Sequence, residues 1–203
     1  GLFAVPPTDH MSENEVRGVI AELWFGLNYL QATGVSPRQA VLSWRGPVGA
    51  AKDYLLPDGS AFEVKSIHAD SRSVWISSAE QLDDATGPTT LVTIGLEPID
   101  IGGIRLPDLY DVLLTSISDD ADTVKELRWR FSLLGVDPTD EYYAEFGYTI
   151  VSHRHYRVNG KFPAIKRSVL PEAIGTVNYQ IALNSLEEFL VLDASTPKPG
   201  APS

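Results

Sequence analysis

The chain has no cysteine among its 203 residues, which removes disulfides, thiolate zinc sites and cysteine nucleophiles together. Histidine is scarce: His10, His68, His153 and His155 are the whole set. A metal site here has to rest mainly on oxygen ligands, which favours Mg²⁺, Mn²⁺ or Ca²⁺ over zinc. No apolar run is long enough to span a bilayer and no signal peptide is visible, so no membrane partner is expected and the default location is cytoplasmic. Positive charge is also in short supply. Sixteen Lys and Arg against 27 Asp and Glu give a net charge of −11, which argues against a protein that coats nucleic acid through bulk electrostatics. The first residue is Gly rather than Met, so a processed, tagged or truncated N-terminus is expected.

What is present suits a globular domain able to bury a core: 43% hydrophobic and 21% charged residues, both ordinary values. The cations are unevenly spread. Between Phe146 and Pro171 there is no acid, yet Arg154, Arg157, Lys161, Lys166 and Arg167 all fall there. Such a strip can track a phosphate backbone locally, and it fits a solvated surface segment equally well.

Patterning gives the order of elements. After a lead-in over residues 1–11, Ser12 and Glu15 form an S-x-x-E capping box. Val16, Val19, Ile20, Leu23, Trp24, Leu27 and Leu30 then recur at helical spacing until Gly34. A short strand is expected around 40–44, and a second over 53–56. Pro57-Asp58-Gly59 is a turn signal, followed by strands over 61–67 and 73–76. Ser77 and Glu80 repeat the capping spacing and predict a short helix over 79–85. A buried strand is expected over 89–96, helices over 107–117 and 123–134, and strands over 148–158 and 179–183. The tail over 195–203, rich in Pro, Gly and Ser, reads as disordered. The class is α/β: a core over 12–98, with 99–194 as its C-terminal part or an extension.

The turn carries the sharpest inference. If Pro57, Asp58 and Gly59 form a three-residue loop with Gly in the left-handed position, Leu56 pairs with Ser60. Counting outward pairs Tyr54 with Phe62 and Asp53 with Glu63. Opposed residues share a face at about 4.5–5.5 Å, and alternation adds Lys65 to that face while Phe62 and Val64 point away. Two carboxylates so close repel, and a divalent cation would relieve them. Asp-Gly turns and E-x-K triplets are also common, and Lys52 or Lys65 is able to neutralise the acids without a metal. Glu22, at the border of the helical stripe, needs a partner if buried. Gln81, in the first turn of the expected short helix, is placed to meet the same face. Each has a plain alternative: Glu22 reaching to water, Gln81 capping.

Taken in order, the helix Glu, strand Asp, E-x-K and following Gln resemble the restriction-endonuclease-like PD-(D/E)XK superfamily. More narrowly, the segments IAELWFGLNYL, WRGPVGAAKDYLLPDGSAFEVKS, ISSAEQLD and YRVNGKFPAIKR look like a bacterial PD-(D/E)XK motif family. That family is encoded near helicases, ATPases and methyltransferases in phage-defence or restriction loci. The resemblance runs from the first helix to about Leu183. Members usually carry more sequence before that helix, so the chain looks short there.

The resemblance implies a central mixed sheet flanked by helices and a Mg²⁺- or Mn²⁺-dependent DNA endonuclease. It implies Asp53 and Glu63 as metal acids, the Val64 carbonyl as an extra ligand and Lys65 as the water-positioning lysine. Glu22 matches the helix acid and Gln81 the accessory glutamine. Pro does not precede Asp53, and Tyr54 follows it where an aliphatic residue or Phe is usual. DNA is the implied partner, with a homodimer and helicase, ATPase or methyltransferase partners as further options.

Of the remaining residues, Arg45 is a candidate DNA contact, while Trp44, Tyr142 and Tyr143 read as packing. His153 and His155 lack a third ligand and read as surface or phosphate contacts rather than a metal pair. No histidine stands at suggestive spacing from Ser66, Ser77 or Ser78, so a serine hydrolase is a poor reading. The alternative from another class is a catalytically silent nucleic-acid-binding or scaffold subunit. A sugar or acyl hydrolase using paired carboxylates leaves Lys65 and Gln81 without roles.

Overall fold

The computed structural model describes residues 10–195. Most of the expected lead-in and the tail beyond Ser195 lie outside the described residues. The first helix, α1 (Glu13–Trp24), starts at the expected capping box, with the Ser12 N–H donating to Glu15 Oε2 at 2.8 Å and the Glu15 N–H returning to Ser12 Oγ at 3.4 Å. Such a cap is worth about 1 kcal/mol. Val16, Val19, Ile20 and Leu23 are buried along one face, each contributing about 1.5–3 kcal/mol. After Trp24 the helix widens into a π-helical turn over Phe25–Leu30 and ends near Gly34, whose φ is +95°.

The main sheet has five strands in the order β1 (Tyr54–Leu55), β2 (Ala61–Ile67), β4 (Thr89–Pro98), β5 (Tyr148–Val158), β7 (Leu190–Asp193). It is mixed: β2 and β4 run parallel and the other neighbours antiparallel. A ribbon of β3 (Ser73–Ile76) and β6 (Tyr179–Ala182) stands apart from it.

Side-chain alternation divides the core in two. Val64, Val92 and Ile94 point to one face, where α1 and α3 (Leu106–Ser116) pack. Leu91, Tyr156 and Val158 point to the other, where the β3–β6 ribbon packs. The larger cluster joins residues from both sides of position 98. The chain is α/β with a five-stranded mixed sheet flanked by helices, a fold compatible with a restriction-endonuclease-like core.

Two expectations fail. The segment 40–44 is no strand: residues 40–43 end helix α2 (Pro37–Ser43), and Trp44 makes an isolated antiparallel bridge to Tyr54. The Ser36 side chain accepts from the Gln39 N–H at 3.1 Å and Pro37 occupies the first turn, an N-terminal pattern that outweighs a short apolar run. The segment 79–85 is not helical but runs through turns. There Lys52 Nζ donates to the carbonyls of Glu80 at 3.2 Å and Asp83 at 2.7 Å, and a tertiary contact overrides local capping. Strand β7 was not anticipated. It is four residues long, at the sheet edge and half exposed, so it carries little pattern.

Candidate active site

The hairpin forms in the expected register. Leu56 N–H donates to the Ser60 carbonyl at 2.8 Å, Gly59 has φ +87°, and Tyr54 and Leu55 pair with Phe62 and Ala61. Asp53 stands one step beyond this ladder. Its Oδ2 accepts from the Val64 N–H at 2.7 Å, which ties it to β2 at the residue after Glu63. Glu63 is 1% exposed, and its Oε1 pairs with Lys65 Nζ at 2.8 Å, so acid and lysine share a face as alternation requires. Lys65 Nζ also donates to Gln81 Oε1 at 3.1 Å, and the same oxygen accepts from the Ser77 N–H at 2.8 Å. Gln81 thus meets the site from a turn rather than from a helix.

Glu22 arrives from α1. Its Oε2 accepts from Trp44 Nε1 at 2.6 Å, while its backbone carbonyl accepts from the Tyr54 hydroxyl at 2.9 Å just before the helix widens. The gap between Glu22 and Asp53 is kept by Gly46. A Cβ there would lie 2.6 Å from Glu22 Oε2 and 3.2 Å from Asp53 Oδ1. Trp44 is in turn held by Arg130 of α4 (Ala121–Leu133), which is 3% exposed and donates to the Trp44 carbonyl and, at 3.4 Å, to that of Leu42.

Burial and mutual repulsion show in the proton affinities. Burial, reinforced by the Asp53 charge, pushes the Glu63 carboxyl up to about 8, against the opposing pull of Lys65. Burial raises Asp53 to about 6, tempered by the Val64 N–H and by Lys65. Glu22 is raised by burial and then by Asp53, with the Trp44 indole acting the other way.

Whether these residues suit a divalent ion turns on one atom. Glu63 Oε2 is buried without a hydrogen-bond partner, a state that costs about 1–3 kcal/mol or more for a charged group. Among the described residues no three His, Cys, Asp or Glu side chains gather closely enough to hold an ion by themselves. Two acids, a backbone carbonyl and waters form a donor set of the kind Mg²⁺ takes, since that ion usually keeps several waters. The donor chemistry fits.

The expected phosphate contacts scatter. Arg45 is exposed on the turn leading to Gly46, and Lys161 is exposed with no ion pair among the described residues. Arg157 pairs across from Thr90 and Arg154 across from Thr93. Alternation therefore sets Arg157 on the sheet face opposite Glu63 and Lys65, and Arg154 on the same face as Lys65. Arg154 is paired with Asp193 at 3.1 Å and Lys166 with Asp84. Arg167 donates to the carbonyls of Ile174 at 2.7 Å, Gly175 at 3.1 Å and Pro171 at 3.2 Å. His153 and His155 are not surface residues. They are 6% and 2% exposed, with their Nε2 atoms 2.6 Å apart and Trp24, Tyr29, Phe25 and Phe62 around them.

Sequence reasoning passed over Trp44 and Gly46 as site residues. Their signal was a Trp and a Gly-Pro pair within ten residues before the strand aspartate.

A lysine and a buried acid on one strand, an aspartate tied to that strand and a helix glutamate across a glycine gap define the PD-(D/E)XK, nuclease-like class. A family model described as "Putative PD-(D/E)XK family member, (DUF4420)" matches residues 1–184, and the chain belongs to that family. Comparison with curated proteins and with solved structures returned no match.

Proposed function

We propose that the protein is a metal-dependent DNA endonuclease that hydrolyses phosphodiester bonds, leaving a 5′-phosphate, within a bacterial restriction or phage-defence system. The observation that carries this reading is the orphaned Glu63 Oε2 beside Asp53 and Lys65. Asp53, Glu63 and the Val64 carbonyl would hold Mg²⁺ or Mn²⁺, which when bound supplies Lewis-acid polarisation of the phosphate and lowers the pKa of water.

The chain's own groups do the rest. An ammonium has three N–H donors. Glu63 Oε1 and Gln81 Oε1 engage Lys65, which leaves a further donor for the attacking water or a phosphate oxygen. Gln81 fixes the lysine's direction, and charge building on the phosphate meets a preplaced cation rather than reorganising solvent. Glu22, steadied by Trp44, adds a further acid at the edge of the site. Of the six cations read as phosphate contacts, Arg45, Lys161 and Arg157 are exposed, and Arg154, Lys166 and Arg167 would have to share their internal partners. Helicase, ATPase or methyltransferase subunits, or a second copy of the chain, would supply the DNA affinity that a net charge of −11 withholds. No described helix is long and apolar enough to cross a membrane, and a cytoplasmic location belongs to the same proposal.

Purified protein given plasmid DNA with Mg²⁺ or Mn²⁺ should nick or linearise it. Asp53→Ala or Glu63→Ala variants that cut as well as the parent would end the assignment. A second reading has one observation in its favour: Lys65 already neutralises Glu63 Oε1, as it would in a silent scaffold subunit. Calorimetry separates the two, because a scaffold binds no Mn²⁺, whereas the enzyme binds it and loses binding in Asp53→Asn.

A further inference from the structure

The largest cavity among the described residues, about 840 Å³, adjoins Lys65 along two directions of the sheet. Ile67, two residues past Lys65 on β2, lies on its wall, about 6.6 Å further along the strand. Across the sheet, Lys65 pairs with Thr93 and Thr93 with Arg154, which also lines the cavity. Neighbouring strands are about 4.8 Å apart, so the Lys65 and Arg154 backbones stand about 10 Å apart with both side chains on one face. A stacked nucleic-acid strand covers that distance in about three nucleotides, and an extended one in fewer.

The wall carries more positive than negative charge, on a chain whose net charge is −11. Arg72, immediately before β3, is exposed and has no ion pair among the described residues. The Arg154 side chain is 37% exposed, with Asp193 at 3.1 Å and Glu187 at a loose 3.9 Å. Glu187 is the one acid of the wall. A second observation points the same way. Arg17 of α1, 4% exposed, donates to His68 Nε2 at 2.6 Å and to the Leu96 carbonyl at 3.4 Å, and its Nε has no partner. A guanidinium cannot accept, so that His68 nitrogen must, and the ring's other N–H is left to donate. His68 is exposed and lines the cavity. A buried cation bonded only to neutral groups is costly, and an anion held at His68 would offset the Arg17 charge across one ring.

We propose that this cavity seats a backbone phosphate of the nucleic-acid strand on Arg72 and Arg154, with His68 as a neutral donor, within about three nucleotides of the phosphate attacked at Lys65. The ligand is the phosphodiester group itself, held without regard to the base it carries. Two anchored phosphates would fix the direction of the strand through the site, which one metal-bound phosphate does not. The proposal rests on the nuclease reading for the strand that this phosphate belongs to, but it is tested without cleavage.

Asp53→Asn protein in chelator, so that nothing is cut, is titrated with a fluorescently labelled oligothymidylate over a series of salt concentrations. Adding Arg72→Gln should lower affinity about fivefold at low salt and reduce the slope of log affinity against log salt by about 0.7, the share of one phosphate on a single strand. Adding Glu187→Gln instead, which changes an exposed acid and frees Arg154 of one partner, should raise affinity about threefold. Lys125→Gln, on the exposed face of α4, should leave affinity and slope unchanged. An Arg72→Gln slope equal to the parent's, an equal fall with Lys125→Gln, weaker binding in Glu187→Gln, or no oligothymidylate binding overturns the proposal. So does binding of inorganic phosphate alone that Arg72→Gln weakens, which would make a free anion the ligand. Failure of the parent to cut any nucleic acid with Mn²⁺ would instead overturn the nuclease reading and leave the binding result standing.

Discussion

The two faces of the main sheet each bury a pair of titratable side chains, and the pairs differ in what surrounds them. On one face Glu63 and Asp53 are held near each other, raised to about 8 and about 6 by burial, with Glu63 Oε2 unpaired and a lysine at hand. On the other, His153 and His155 touch through their Nε2 atoms under aromatic rings. Burial pushes them down to about 4 and about 3, with the His153 charge adding to the effect at His155. A ring N–H of one can satisfy the ring nitrogen of the other, and both stay neutral at pH 7. The histidines have closed their account with the protein, and the acids have not. Perturbed proton affinity alone therefore does not mark a site. An unmet bonding demand on an acid beside a second acid and a lysine is what singles out the Glu63 face as the candidate.

The comparison can be broken or sharpened in order of expected effect. Lys65→Met should lower metal-dependent cleavage by about 100-fold to 1,000-fold, the scale for losing one preplaced donor to a charged transition state. Single-turnover kinetics at saturating Mn²⁺ would check it, and a loss under threefold would strip the acid face of its distinction. Next, Trp44→Phe removes the N–H that supports Glu22, a charged hydrogen bond worth about 1.5–3 kcal/mol. Activity should fall about tenfold. Because that donor lowers the Glu22 pKa, the acidic limb of the pH–rate profile should move to higher pH.

A third test reads stability instead of rate. Glu63 and Asp53 hold protons in the native state more tightly than their ordinary values of 4.5 and 3.8 imply. Between about pH 4 and pH 8 the folded state therefore binds more protons than the unfolded chain. In chelator, their contribution is fully present below pH 4 and is lost as pH rises through about 6 and then about 8. Glu63→Gln should flatten that fall and raise the melting temperature at pH 8, by about 2–4 °C per kcal/mol for a chain of this size. A melting curve insensitive to this substitution would place Glu63 in a wetter setting than its 1% exposure indicates. The smallest effect is expected from His155→Phe, which keeps the aromatic packing. Cleavage should stay within twofold and stability within about 1.5 kcal/mol, and a large activity loss would erase the contrast between the faces.

Much of the site was legible because it depends on short-range rules. Pro57-Asp58-Gly59 set the hairpin register, alternation put Glu63 and Lys65 together, and the Ser12–Glu15 box started α1. What escaped depends on distant contacts. The turn around Gln81 is held by Lys52, nearly 30 residues away in sequence, so its capping pattern misled. The run at 40–44 satisfied a strand pattern, and only the Ser36-Pro37 start separates it from a helix. The His153–His155 alternation on β5 revealed that they share a face, but not that α1 and its π-helical turn lay rings across them. The basic strip read as one surface, whereas strand pleating sends Arg154 and Arg157 to opposite sides.

The buried guanidinium of Arg130 has a consequence for how the protein is made. It anchors Trp44 across 86 positions of sequence, and synthesis proceeds from the N-terminus. While a ribosome is still short of α4, the emerging polypeptide carries Glu22, Asp53, Glu63 and Lys65 but lacks the clamp that fixes the first of them. An interrupted translation product ending there would carry all four side chains without the frame that holds Glu22 in place, so the site is assembled only once that helix has been delivered.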